Sequence, residues 1–190
     1  MILISCTMIK IDLSKFDNSW YNPGGSIFKR MLWYFINILF FQCPLNPFIG
    51  LKVFLLRLFG ARVGKNLCIK PSVNIKYPWR LSIGDNVWIG ENVWIDNLAD
   101  VIIEDNVCIS QGAMLLCGNH NYKKESFDLM VGPIIIKEGA WVGARGVVCL
   151  SVTLYEGAIL MVGSVATKDL EPFSIYQGIP SVKVRKRIIN

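Results

Sequence analysis

The sequence predicts an all-β fold: a parallel β-helix of about five three-sided coils, preceded by a short helical annex. Three observations predict it. An aliphatic residue returns every six positions, through Ile83, Ile89 and Ile95, then Ile103, Ile109 and Leu115, then Ile136, Val142 and Val148, and finally Leu154, Leu160 and Ala166. A smaller residue sits four positions after most of these, as at Val87, Val93, Val107, Ala113, Ala140, Val152 and Ala158. Even spacing of this kind puts side chains on one face of a strand, whereas a helix needs a 3.6-residue period. Third, Val63, Ile69 and Ile75 extend the register backwards, and every departure from it falls after a third hexad: the steps 75 to 83, 95 to 103 and 115 to 136 exceed six, while 148 to 154 does not. Each segment is too short to stand alone, so it must bury its aliphatic in a column shared with its neighbours.

Taken in order, the chain divides into an N-terminal extension (residues 1–25), an apolar annex (26–62), the solenoid (63–168) with a loop insertion (121–135), and a C-terminal cap with a basic tail (169–190). The first ten residues lack the basic n-region of a secretory signal. Leu3 to Cys6 superficially matches a lipoprotein cleavage box, but no apolar run precedes it, and Met8 is an alternative start. Asn22-Pro23-Gly24-Gly25 reads as a turn.

In the annex, Ser26 can cap a helix running through Met31–Phe40, ended by Pro44 and Pro47, with Asn37 breaking its apolar run. A second helix over Gly50 to Phe59 is expected to turn Leu51, Phe54, Leu55 and Leu58 to one face. Neither approaches the roughly 20 apolar residues needed to span a bilayer. The pair either packs on the open end of the solenoid or between subunits, or forms a peripheral membrane contact through residues 27–59, with Lys29, Arg30, Lys52 and Arg57 at the headgroups. The second arrangement would suit a lipid-linked glycan substrate.

Because the insertions follow every third face, they emerge from one edge of the prism. Insertions gathered on one edge mark the binding face of a repeat protein. Asn97 and Asp100 lie at that edge on one coil and His120, the only histidine in the chain, on the next. Coils are about 4.8 Å apart, so these groups can converge. An imidazole titrates near neutrality and suits general-base work. By itself, His120 reads equally well as an ordinary loop histidine.

The segments WIGENVWIDNLADVIIEDNVCISQGAMLLCGNHNY, PIIIKEGAWVGARGVV and VGSVATKDL, with IYQGIPSVKVRKR after them, resemble the hexapeptide-repeat acyltransferases, and within them the sugar O-acetyltransferases and the colanic acid biosynthesis acetyltransferase group. The resemblance runs from about Asp12 to the C-terminus. It implies a left-handed coil, where the physics of crossovers alone favours the right hand. It also implies a cytoplasmic homotrimer that transfers an acetyl group from acetyl-CoA to a sugar hydroxyl during polysaccharide biosynthesis. His120 matches the family's catalytic base. Asn97 matches a substrate-positioning asparagine, and Asp96 and Tyr122 join it as substrate-binding candidates. Trp141, Gly143, Ala144 and Val162 occupy positions where the family threads the pantetheine arm, Thr167 and Lys168 match a Thr-Lys pair near its nucleotide end, and Arg185 matches a residue that reaches CoA phosphates. Glycine and alanine there also suit the tightness of the coil, and asparagine and aspartate suit corners.

Composition agrees. A net charge of +6 favours anionic partners such as CoA phosphates, nucleotide sugars or an acidic membrane surface. No nucleic-acid motif accompanies the charge. The cysteines show no CxxC pairing and read as small hydrophobes in a reducing compartment, the cytoplasm. A single histidine cannot supply the zinc site of a carbonic-anhydrase-like enzyme of this fold, so no metal is expected. N-acetylation of an amino sugar and a non-catalytic scaffold are the alternatives. The sequence names no acceptor.

Overall fold

In the computed structural model, which describes residues 10–189, the chain winds as a three-faced parallel β-helix. The Leu3–Cys6 box and Met8 lie outside the described residues. The first coil consists of β1 (Arg62–Val63), β2 (Cys68–Ile69) and β3 (Asn74–Ile75), and the second of β4 (Leu81–Ile83), β5 (Trp88–Ile89) and β6 (Trp94–Asp96). The third holds β7 (Val101–Ile103), β8 (Cys108–Ile109) and β9 (Met114–Leu116). A hairpin, β10 (Gly118–His120) and β11 (Leu129–Val131), then leaves the coil. The fourth coil has β12 (Ile134–Ile136), β13 (Trp141–Val142) and β14 (Val147–Val148), and the fifth β15 (Thr153–Leu154), β16 (Ile159–Leu160) and β17 (Val165–Ala166). The first face stacks in the order β1-β4-β7-β12-β15 and the third in the order β17-β14-β9-β6-β3.

All twelve aliphatics of the main six-residue register are buried, as are Ile69 and Ile75 of the lead-in. At roughly 1.5–3 kcal/mol for each buried Ile, Leu or Val, this column dominates the fold's stability. The four-residue companions are buried too, but they belong to the following strand. Val87 shares a face with Ile89, two residues on, because the chain turns between Ile83 and Val87 at Asn86 (φ 57). The corner between the first and second faces repeats this left-handed asparagine at Asn66 and Asn106, and the Nδ2 of Asn66 donates to the Oδ1 of Asn86 at 2.9 Å. Asparagine tolerates that conformation better than other residues with a side chain.

The coil does not stop at Lys168. Leu170 bridges to Leu154 on the first face, and β18 (Ser174–Gly178) pairs with β16 on the second, adding part of a sixth turn. β19 (Ser181–Lys186) folds back antiparallel on β18, and Arg187 ties this cap down by donating to the carbonyls of Gly139 and Gly157.

The annex packs on the opposite end. α1 (Ile27–Ile36) is capped by the Ser26 hydroxyl, as expected. The helix continues as a π-helical turn over Asn37–Gln42, and the Asn37 amide, buried against the first coil, donates to Asn74 Oδ1 at 2.7 Å and accepts from the Ile75 N–H. Trp33 is buried between Phe41 and Phe59, its indole N–H on the Ile75 carbonyl. α2 (Ile49–Leu58) turns Lys52, Leu55 and Leu56 inward, so of the four residues expected on one face Leu55 is buried while Leu51, Phe54 and Leu58 stand in solvent. The four basic side chains expected at headgroups are engaged elsewhere. Lys52 is fully buried with its Nζ on the Lys70 carbonyl, Lys29 lies over the Trp79 ring, Arg57 binds the Val63 and Gly64 carbonyls, and Arg30 faces a cleft described below. Among the described residues no helix is long and apolar enough to cross a membrane.

Candidate active site

The corner between the third and first faces is where the three insertions emerge, and it forms one wall of a cleft of about 860 Å³. Lys76 and Tyr77 come from the first coil, Asp96 and Leu98 from the second, and Gly118, Asn119, His120 and Leu129 from the hairpin after the third. These positions are about twenty residues apart in sequence because one turn of the coil takes about that many, which is how the period brings them together. The opposite wall is the N-terminal segment, with Phe16, Asn18, Ser19, Tyr21 and Pro23, and Arg30 from α1. That segment is tied to the hairpin by the Asp12 N–H on the Glu125 carbonyl and by Lys15 Nζ on Glu125 Oε1 at 2.7 Å.

His120 ends β10. Its ring stacks on Phe127 (centroids 4.5 Å apart, planes 5° apart) and tilts against Phe16 at 5.6 Å. Nδ1 lies 2.9 Å from the Phe127 carbonyl oxygen. A carbonyl only accepts, so in the neutral ring Nδ1 carries the hydrogen and Nε2 carries the basic lone pair. The tautomer is therefore set by backbone geometry, as Phe127 adopts a left-handed conformation (φ 51).

Asp96 lines the cleft and accepts from Lys76 Nζ at 2.8 Å. Tyr21 donates its hydroxyl to the Leu98 carbonyl at 2.7 Å, and burial raises its pKa to about 12, so it stays a neutral donor. Two of the three substrate-binding candidates, Asn97 and Tyr122, are not among the residues lining the cleft. Asn97 is fully buried, its Oδ1 accepting from the Tyr77 N–H and its Nδ2 donating to the Tyr77 carbonyl, which makes it the bolt of the corner. Tyr122 is 71% exposed and does not line the cleft.

The donor-site candidates are spread over the later coils. Trp141 stands half-exposed on the second face with its indole N–H on Ser110 Oγ. Gly143, Ala144 and Val162 occupy the corner between the second and third faces, while Thr167 and Lys168 lie exposed at the corner between the third and first, two coils beyond the hairpin. Arg185 lies exposed in β19, opposite Ile175. Within one chain the width of the third face separates Trp141, Ala144 and Val162 from His120. Gly143 has a structural reason of its own, since a Cβ there would meet the backbone N of Val162 at 2.6 Å. The residues that sequence reasoning missed are Arg30, Lys76, Tyr77 and the N-terminal wall. Lys76 and Tyr77 carry the signal of the two-residue excess after Ile75; the N-terminal wall lies outside the repeat and carries none.

No protein-family model matches the chain. "Putative colanic acid biosynthesis acetyltransferase WcaF" of Escherichia coli (strain K12) is 34% identical over 177 residues, covering 93% of this chain and 97% of that protein. The chain belongs to the hexapeptide-repeat acetyltransferases. Galactoside O-acetyltransferase of the same organism is 29% identical over 129 residues, 66% of this chain and 64% of that one. A galactoside acetyltransferase solved in complex with coenzyme A superposes with a TM-score of 0.74 at 26% identity, over 83% of this chain and 80% of that one. A hexapeptide-repeat acetyltransferase of Vibrio cholerae, solved with acetyl-CoA, superposes with a TM-score of 0.75 at 20% identity, over 85% and 88%. The coil of this acetyltransferase accordingly has the left-handed sense of the family, two of whose solved members hold coenzyme A and acetyl-CoA.

Proposed function

We propose that this acetyltransferase moves an acetyl group from acetyl-CoA to a hydroxyl of a sugar used in polysaccharide assembly, with His120 as the general base. One observation carries the reading: the Phe127 carbonyl holds Nδ1 in the protonated form and leaves Nε2 as the base in a polar cleft. A sugar hydroxyl is a poor nucleophile until its proton is removed as the new C–O bond forms. Nε2 takes that proton while the oxygen attacks the acetyl carbonyl. The C–S bond then breaks, and the proton passes from the imidazolium to the departing thiolate. Transfer is direct, with no covalent acyl-enzyme. The Asp96–Lys76 pair and Arg30 provide acceptor and donor groups for sugar hydroxyls. The cleft's volume suits a sugar of one or two rings.

Trp141, Ala144, Val162, Thr167, Lys168 and Arg185 are assigned to the donor. Because three of them stand on the far side of the third face from His120, the working unit is a homotrimer in which donor held by one chain meets the histidine of a neighbour. Mass spectrometry of a glycan panel incubated with acetyl-CoA tests the reaction. The expected product is a mono-acetylated sugar whose acetyl group is lost in mild base, as an ester is. A base-stable acetamide overturns O-transfer in favour of an amino-sugar acceptor.

A further inference from the structure

The outer surface of the annex has its polarity reversed. A helix packed on a soluble core shows apolar residues inward and polar residues outward. On α1 the buried face is formed by Trp33 with Asn37 and Phe41 of the π turn beyond it, and the opposite face exposes Ile27, Phe28, Met31, Leu32, Phe35 and Leu39, with Phe28 81% exposed. α2 goes further: its one lysine, Lys52, points inward at 0% exposure beside Leu55 and Leu56, while Phe54 and Leu58, and Phe48 just before the helix, stand exposed. Burial lowers the Lys52 pKa, a cost the fold accepts while leaving large apolar side chains in water. Exposed apolar patches of this extent mark an interaction surface.

Charge selects the occupant. Residues 18–84 contain no aspartate or glutamate, while Arg62, Lys65 and Lys70 stand exposed on the first coil next to α2. A second copy brought face to face would set this uncompensated positive charge against itself. An anionic lipid surface meets both the charge and the apolar side chains. α2 also lies across the open end of the stack, holding the carbonyls of Val63, Gly64 and Lys70, so its outer face is directed away from the coils and from any neighbour packed alongside them. We propose that the annex is a docking surface for an anionic lipid bilayer, with the outer faces of α1 and α2 inserted at the interface and Arg62, Lys65 and Lys70 at the phosphates. Arg30 lines both the catalytic cleft and a hollow among Ile27, Met31, Tyr34 and Phe35, so the cleft opens beside the membrane.

The test is co-sedimentation of the full chain with phosphatidylcholine vesicles and with vesicles of equal parts phosphatidylglycerol and phosphatidylcholine. Binding to the anionic vesicles that weakens with salt is expected. The variant Phe28→Gln/Phe35→Gln/Phe54→Gln/Leu58→Gln should lose at least about 100-fold in partitioning, with its circular dichroism and acetyl-CoA binding intact. Arg62→Glu/Lys65→Glu/Lys70→Glu, which leaves the apolar faces alone, should abolish the preference for anionic vesicles and provides the check if the first variant misfolds. The proposal fails if the wild type ignores anionic vesicles. It fails equally if sedimentation velocity shows that the glutamine variant has lost its oligomeric state, because the surface is then buried between copies.

Discussion

Replacing His120 with alanine isolates the base. General-base catalysis by a positioned side chain is worth roughly 10²–10⁴-fold, or about 3–5 kcal/mol in the barrier. The structure argues that this loss should appear almost entirely in kcat. His120 sits on a hairpin outside the buried aliphatic columns, half-exposed, and packs on the flanking rings of Phe16 and Phe127. Removing it should leave the coil folded and the donor residues Trp141, Ala144, Thr167 and Lys168 undisturbed. The assay is release of the CoA thiol at saturating acceptor, paired with calorimetric titration of acetyl-CoA. Turnover should fall by at least about 100-fold with the donor Kd unchanged. Near-normal turnover in His120→Ala would refute the assignment, and a collapse of donor affinity with kcat retained would move the histidine to the donor site.

Asn97→Ala should behave as a stability mutant. It strips two backbone partners of Tyr77 in a buried corner, at about 1–3 kcal/mol each, and urea unfolding should show the loss while the folded fraction keeps its acceptor KM. Gly143→Ala drives a Cβ into the backbone of the next coil, so a lowered melting temperature is expected, and an unchanged one would show that the coils can separate there. Lys168→Ala should raise the donor Kd more than it lowers kcat, as read by the same titration and turnover assay. Cys117 is fully buried, and burial raises its thiol pKa from 9.0 to about 12. The folded state therefore holds that proton more tightly than the unfolded chain, and the corresponding stability is complete below pH 9.0 and lost as pH rises toward about 12. Thiol reagents should label Cys117 only after denaturation, and Cys117→Ala should flatten the alkaline limb of the stability profile.

The sequence by itself determined the solenoid, its three faces and the edge where the cleft lies. Each of these is a consequence of one local rule, an aliphatic every six residues, and the excess after Ile75, Ile95 and Leu115 says which corner must bulge. The same rule led to the expectation that Asn97, Asp100 and His120 converge there; the structure instead brings Asp96 to the cleft with His120, buries Asn97 and pairs Asp100 with Arg80. The direction of individual side chains was not legible, because periodicity reports a residue's place on the coil and says nothing of its hydrogen-bond partner. Asn97 and Asp96 are adjacent in sequence, yet one is locked onto Tyr77 while the other reaches the cleft with Lys76. The inverted α2 was hidden in the same way. Its composition allows several apolar faces, and only contact with the open end of the coil, where the Lys70 carbonyl needs a donor, decided that Lys52 goes in and Phe54 stays out. The second wall of the cleft, from Phe16 to Arg30, lies outside the repeat, so its position depends on long-range contacts with the hairpin and the first coil that tertiary packing alone supplies.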